Sequence, residues 1–167
     1  NHDCYSGKPG TQGDRPGNFT IKNADLVVVF GCRLNIRQIS YNWQSFAASA
    51  KIIMIDIDKS EIDKSTLNIN HKMHYRLQDF VPAFSKAIKN WNPQIDHIKF
   101  LNWCKLRVNK YPVVNGYHFE KLTPVNPYAF FSKIYNKTIP GDTVVVGNGS
   151  ACVIGFQAAV VKKGVRL

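Results

Sequence analysis

No stretch of this chain approaches the ~18 consecutive apolar residues that a membrane span requires. Its longest apolar runs, LVVVF and KIIMI, are strand-sized, so no membrane partner is expected. The opening residues NHDCYSGKPG lack the cationic start and apolar middle of a secretory signal, which makes the cytoplasm the expected location. Acidic residues are few: 11 Asp and Glu stand against 22 Lys and Arg, a formal charge of +11 that favours anionic partners through long-range attraction. Blocks of like charge are missing as well. Lys86, Lys89, Lys99, Lys105 and Lys110 lie scattered among Asn and Ile, the pattern of a solvated lysine-rich surface. No interleaved aromatic and basic motif marks a nucleic-acid interface, and nucleic acid is not an expected partner. Cysteine is sparse too. Cys4, Cys32, Cys104 and Cys152 stand far apart without CxxC or zinc spacing, and read as reduced, mostly buried thiols.

What is present is the composition of a folded protein: 44% hydrophobic and 20% charged residues over 167 positions suit one or two compact domains. Residues 1–23, rich in Gly, Asn, Asp and Pro, read as a loop suited to unusual backbone angles or close approach to a ligand. The unbroken apolar runs Asp25–Gly31 and Lys51–Asp58 fit strands covered on both faces, as in parallel sheets flanked by helices. Between them, the spacing of Trp43, Phe46, Ala47 and Ala50 predicts a helix, and strand, helix, strand makes a right-handed crossover. A helix is predicted over 79–90, with Phe80, Phe84, Ala87 and Ile88 on one face and Pro82 close enough to its start to be tolerated.

From Asn92 the pattern loosens around Pro93, Pro112 and Pro124. It reads as a short helix over Leu101 to Val108 and then an interdomain linker. Asn126 and Pro127 cap and open a helix over Tyr128 to Tyr135. Asp142 to Gly147 is a third predicted buried strand, and after a sharp turn Ala151 to Lys162 continues as a helix. The segments before and after Asn126 therefore read as the end of one parallel α/β domain and the beginning of another. A chain that opens in a ligand-type loop and stops after a helix is expected to be an internal piece of a longer protein.

Open α/β sheets place ligands at strand ends, where helix N-termini present unpaired N–H groups. Two sites follow. The first joins the loop glycines Gly7, Gly10, Gly13 and Gly17, the Gly31-Cys32-Arg33 turn, Arg37, and Asp56 and Asp58 around Ile57. An Arg after one strand and an Asp after the next can hold a phosphate and a ribose hydroxyl; equally, Arg33 and Asp58 can simply pair or cap. The second is Gly147-Asn148-Gly149-Ser150-Ala151, where glycines let backbone approach a pyrophosphate and Ser150 can donate; a plain tight turn reads as well. His71 and His74 have metal-like spacing but no third ligand, and are expected to be partly exposed polar residues. No Ser-His-Asp or Cys-His arrangement is proposed from residue order alone.

These residues carry a family resemblance. GKPGTQGDRPGNFTIKNADLVVVFGCRL, FAASAKIIMIDIDKSEI, NPYAFFSKI and GDTVVVGNGSACVIGFQAAVVKKGVR resemble an internal piece of a thiamine diphosphate-dependent enzyme of the acetolactate synthase type. The resemblance implies that residues 1–90 are the later part of a central Rossmann-like α/β domain with a parallel sheet, 91–125 an interdomain linker, and 126–167 the start of a pyrophosphate-binding domain, the first βα unit of a second α/β domain. It implies an enzyme that decarboxylates a pyruvate-like 2-oxo acid and transfers the resulting unit to a second carbonyl compound, as a homodimer or homotetramer. Thiamine diphosphate is implied to lie against Asn148, Gly149, Ser150 and Ala151, with Ser150 where many relatives carry Gln. Mg2+ ligands and the activating Glu are implied to lie outside this chain, which alone should be inactive. In flavin-containing members FAD is held at positions matching Gly7, Gly10, Gly31, Arg33, Asp56, Ile57 and Asp58. Arg76, where members tend to be acidic, departs from that pattern. The competing class is a non-catalytic module binding FAD, ADP or NAD.

Overall fold

Asp14 opens the first helix of the protein. In the computed structural model, which describes residues 2–120 and 123–167, its carboxylate accepts from the Gly17 N–H at 2.7 Å and starts α1, Arg15–Asn23. Residues 15–23 were expected to be loop; the signal for a helix was the Asp cap followed by proline in the first turn. The strand β1, Leu26–Phe30, follows, and after a crossover comes β2, Lys51–Asp56. The two run parallel with Val27 opposite Ile52 and Val29 opposite Met54.

The crossover departs from the expected helix. Asn35 and Gln38 form a reciprocal capping box that starts a single turn, α2, Ile36–Ile39, and Ser40 (φ 70°) ends it. A 3-10 turn follows at Trp43–Ser45, and Ala47 adopts φ 47° with its methyl buried in the core. Burial of Phe46 and Ala47 from an irregular loop thus overrides their helical spacing. Beyond β2, Asp58 caps α3, Lys59–Asp63. The sheet is completed by β3, His71–His74, in the order β1-β2-β3, all parallel. A polar HKMH edge strand has no apolar alternation to announce it. Val27, Val29, Ile52, Met54, Leu67 and Ile69 form the core beneath the crossover.

The helix expected over 79–90 is α4, Leu77–Ala87. It begins earlier than expected, so Pro82 falls past the first turn, where its missing N–H costs one helical hydrogen bond. The short helix expected over Leu101 to Val108 extends to α5, Ile95–Lys110. The chain divides into two compact units, Asn1–Asn109 and Lys110–Leu167. Asn1, and Lys121 and Leu122 within the expected linker, lie outside the described residues.

In the second unit, Asn126 accepts from the Tyr128 N–H at 2.9 Å and starts α6, Pro127–Lys137, as predicted. It packs against α7, Ser150–Ala158, through Phe131, Tyr135 and Ala158. The Tyr135 hydroxyl donates to the Gly155 carbonyl at 2.9 Å. A methyl at Gly155 would sit 3.0 Å from the Val146 side chain and 3.3 Å from the Phe131 ring, so the lack of a side chain there lets both pack against α7. The strand expected over Asp142 to Gly147 is not formed. It makes one isolated parallel bridge, Thr143 with Arg166, and Val145 is 87% exposed, because a strand needs a partner ladder to bury its faces. The helix expected to reach Lys162 stops at Ala158, and Lys162 turns back to donate to the Asn136 and Thr138 carbonyls at the end of α6. Among the described residues no helix is long and apolar enough to cross a membrane.

Candidate functional site

Parallel pairing brings the ends of β1 and β2 together: the Gly31 N–H donates to the Ile55 carbonyl at 2.9 Å. Gly31 (φ 54°) turns the chain so that Arg33 leaves the sheet beside α3. There the Arg33 guanidinium lies 3.7 Å from Glu61, and Lys64, also paired with Glu61 at 3.0 Å, donates to the Arg33 carbonyl. Lys64 also reaches the Leu34 carbonyl at 3.4 Å, where the backbone is left-handed (φ 48°). Glu61 and Lys64 were not singled out from the sequence. Their signal was the D-x-x-E spacing of Asp58 and Glu61 at a helix start.

Asp56 and Asp58 serve different ends. Asp56 is buried, and its carboxylate accepts from the Asp58 N–H at 2.9 Å. Asp58 caps α3 through the Ser60 N–H at 2.9 Å and takes the Ser60 hydroxyl at 2.6 Å. Those two bonds hold its carboxyl below the usual range, with nearby His74 adding to the effect. Ile57 between them is exposed, and its carbonyl lies 2.8 Å from His74 Nε2. Of the two readings of Arg33 and Asp58, the geometry shows Arg33 beside Glu61 and Asp58 as a cap.

The glycine loop lies against the residues that follow β1, with the Thr11 N–H donating to the Arg37 carbonyl at 2.8 Å. Its glycines are closely packed against other protein atoms. A methyl at Gly7 would stand 2.3 Å from the Asp14 carboxylate, and one at Gly10 2.4 Å from the Arg37 carbonyl. At Gly13 and Gly17 it would meet Lys8 at 2.2 and 2.4 Å. Burial lowers the affinity of the Lys8 ammonium for its proton, an effect that Asp14 opposes. Next to Gly10, Thr11, Asn18, Lys22, Gln38 and Ser40 border a cleft of about 370 Å³, in which the Asn18 amide is already bonded to both backbone groups of Gly10. Arg76 precedes α4 without a side-chain cap bond.

The second site has the opposite character. Gly147 through Ala151 are exposed, and a methyl at Gly147 or Gly149 would meet nothing within 4 Å. Gly149 (φ 72°) caps α7 with no side chain to cover the first-turn N–H groups, which are the groups a helix offers an anion. Asn148 accepts from the Gly149 N–H at 2.8 Å and so braces the turn. This cradle is open space bounded by backbone donors, with Ser150 beside it, and its residues fit a phosphate group.

His71 and His74 are both exposed on the edge strand, and among the described residues no group of three or more His, Cys, Asp or Glu is gathered for a metal ion. Cys104 is buried, Cys32 and Cys152 half-buried, and Cys4 exposed, all as free thiols.

Comparison with known proteins adds what geometry alone does not. The model of the "Thiamine pyrophosphate enzyme, central domain" matches residues 1–84. The "Probable acetolactate synthase large subunit" of Methanococcus aeolicus is 42% identical over 65 residues, 39% of this chain and 11% of that protein. "Acetolactate synthase isozyme 1 large subunit" of Escherichia coli is 40% identical over 63 residues, 38% of this chain and 11% of its own length. A longer match, 92 residues at 29% identity, is to the isozyme 2 large subunit of the same organism, covering 55% of this chain and 16% of that protein. The matches thus span between about a tenth and a sixth of these relatives.

Proposed function

Since this chain belongs to the thiamine pyrophosphate enzymes through their central domain, we propose that it is part of an acetolactate synthase-like enzyme acting on a 2-oxo acid. In this reading Asn1–Asn109 carries the later part of the central domain and Lys110–Leu167 opens the pyrophosphate-binding domain. The full enzyme decarboxylates a pyruvate-like acid, passes the remaining unit to a second carbonyl compound, and works as a homodimer or homotetramer in the cytoplasm.

The observation that carries the reading is the open turn before α7. Gly149 lets the diphosphate reach the first-turn N–H groups of Ser150 and Ala151, Asn148 holds the turn in shape, and Ser150 donates a hydroxyl bond. Thiamine diphosphate, when bound, supplies the electron sink for loss of carbon dioxide from the 2-oxo acid. Mg2+ fits the same anion, with its protein ligands elsewhere in the polypeptide. The ends of β1 and β2 serve as a structural junction, because Arg33, Asp56 and Asp58 are engaged by Glu61, the Asp58 N–H and Ser60. Flavin has no role in this reading.

The test is calorimetry with thiamine diphosphate and Mg2+ on the full-length protein, alongside pyruvate consumption. Gly149→Val is expected to weaken cofactor binding by at least tenfold, or about 1.4 kcal/mol, by filling the space the phosphate needs. Unchanged affinity would move the site elsewhere. A full-length protein inert toward every 2-oxo acid would leave the nucleotide-binding module as the better reading.

A further inference from the structure

Cys4 and Cys104 border one cavity. It measures about 470 Å³ and lies between the segment around Cys4, the end of α1 and the inner face of α5, where Phe100 and Leu101 also line it. Cys104 is 1% exposed, whereas Cys4 is open to solvent. The other thiols are placed differently: Cys32 accepts from the Gln38 amide at 3.0 Å, and Cys152 belongs to the second compact unit. The segment around Cys4 is held by short-range bonds, the Cys4 N–H to His2 Nδ1 at 3.1 Å and the Tyr5 N–H to the His2 carbonyl at 2.9 Å. It is tied to α1 by the Thr20 hydroxyl, which donates to the Ser6 carbonyl at 3.4 Å, and through Lys8, whose N–H donates to the α1 cap Asp14 at 3.0 Å.

We propose that Cys4 and Cys104 form a peroxide-responsive thiol pair across this cavity, Cys4 taking the oxidant and Cys104 resolving it. The accessible thiol reacts first, since an oxidant in solution reaches an exposed sulfur before a buried one. The Cys4 thiolate attacks one oxygen of hydrogen peroxide, the O–O bond breaks, hydroxide leaves, and Cys4 becomes a sulfenic acid. The Cys104 sulfur then forms the S–S bond while the Cys4 S–O bond breaks. The departing hydroxide takes the Cys104 proton as water. Both sulfurs are oxidised by one electron each and peroxide is reduced to two waters. A disulfide requires α-carbons within about 7 Å, so the bond would fix the segment around Cys4 against α5 at this cavity. A thiol reductant breaks the bond, as the reducing interior of a cell would.

The experiment treats the full-length protein with one equivalent of hydrogen peroxide, blocks remaining thiols, and maps the peptides without reduction. The expected product is a Cys4–Cys104 cross-linked peptide lighter than its parts by two hydrogens and released by dithiothreitol. Cys104→Ser is expected to accumulate Cys4 sulfenic acid, trapped by dimedone. Should that variant fold poorly, Cys32→Ser/Cys152→Ser reads the same chemistry, because the cross-link must persist without those thiols. Sulfinic acid at Cys4 in the wild type, a dimer linked through Cys4, or pairing with Cys32 or Cys152 would each overturn the proposal.

Discussion

Asp14 and Asp58 perform the same task at two helix starts, and their surroundings make them respond differently to change. Asp14 ties together three parts of the glycine loop: its carboxylate accepts from the Gly17 N–H at 2.7 Å and the Lys8 N–H at 3.0 Å, and its own N–H donates to the Lys8 carbonyl at 2.7 Å. Removing that carboxylate leaves two backbone donors without their partner. Asp14→Ala is therefore expected to destabilise the chain by about 1–2 kcal/mol, the upper part of the range for a lost cap, read from urea unfolding. A loss indistinguishable from zero would mean that the loop is not part of the cooperative fold.

Asp58 is exposed, and its effect shows in pH. Its carboxyl is held below the ordinary value of 3.8 by Ser60, so the folded state binds that proton less readily than the unfolded chain. Asp63, paired with Lys59 and Lys72, is shifted the same way. A depressed folded value stabilises at pH above 3.8, and that contribution is lost as pH falls through the folded value. The urea midpoint should hold steady from neutrality down to the carboxylate range and then drop. In Asp58→Ala the drop should be shallower, and an identical acid limb in both proteins would refute the assignment.

Among the elements, α6 and α7 are joined by two tyrosine hydroxyls, Tyr128 on the Gln157 side chain and the buried Tyr135 on the Gly155 carbonyl. Tyr135 is 2% exposed and spends its hydroxyl on the Gly155 carbonyl. Tyr135→Phe keeps the ring contacts and removes the donor, and the expected cost is about 1–2 kcal/mol for leaving a carbonyl short of a partner. The strands differ in a way amide exchange can read. β2 is paired on both sides, whereas residues 142–147 make a single bridge. The amides of β2 should exchange most slowly and those of Val145 and Val146 among the fastest; comparable protection would show that a ladder forms there.

The chain as a whole carries +11, and this field attracts polyanions without recognising them. Binding to random duplex DNA is expected to be weak and to fall steeply with added salt, as release of condensed counterions requires. Sequence-selective binding at physiological salt would make the basic surface a recognition site.

Local chemistry made several features readable in advance. Asn126 and Pro127 opened α6 as their residue types demand, and the apolar runs at 26–30 and 51–56 became paired parallel strands. The Gly147–Ser150 turn before a helix was equally legible, since glycine and a following apolar stretch act within a few residues. Four features were decided only by contacts distant in the chain. The crossover buried Ala47 from a left-handed loop instead of a helix, and His71–His74 became a strand because β2 offered an edge. Residues 142–147 stayed unpaired for want of such an edge, apart from the Thr143 bridge. Arg33 came to rest against Glu61 through the parallel pairing that set β1 beside β2. Caps and turns are satisfied by neighbours within about four residues and so are written locally. Strand pairing and ion pairing across elements require partners that only the folded chain supplies.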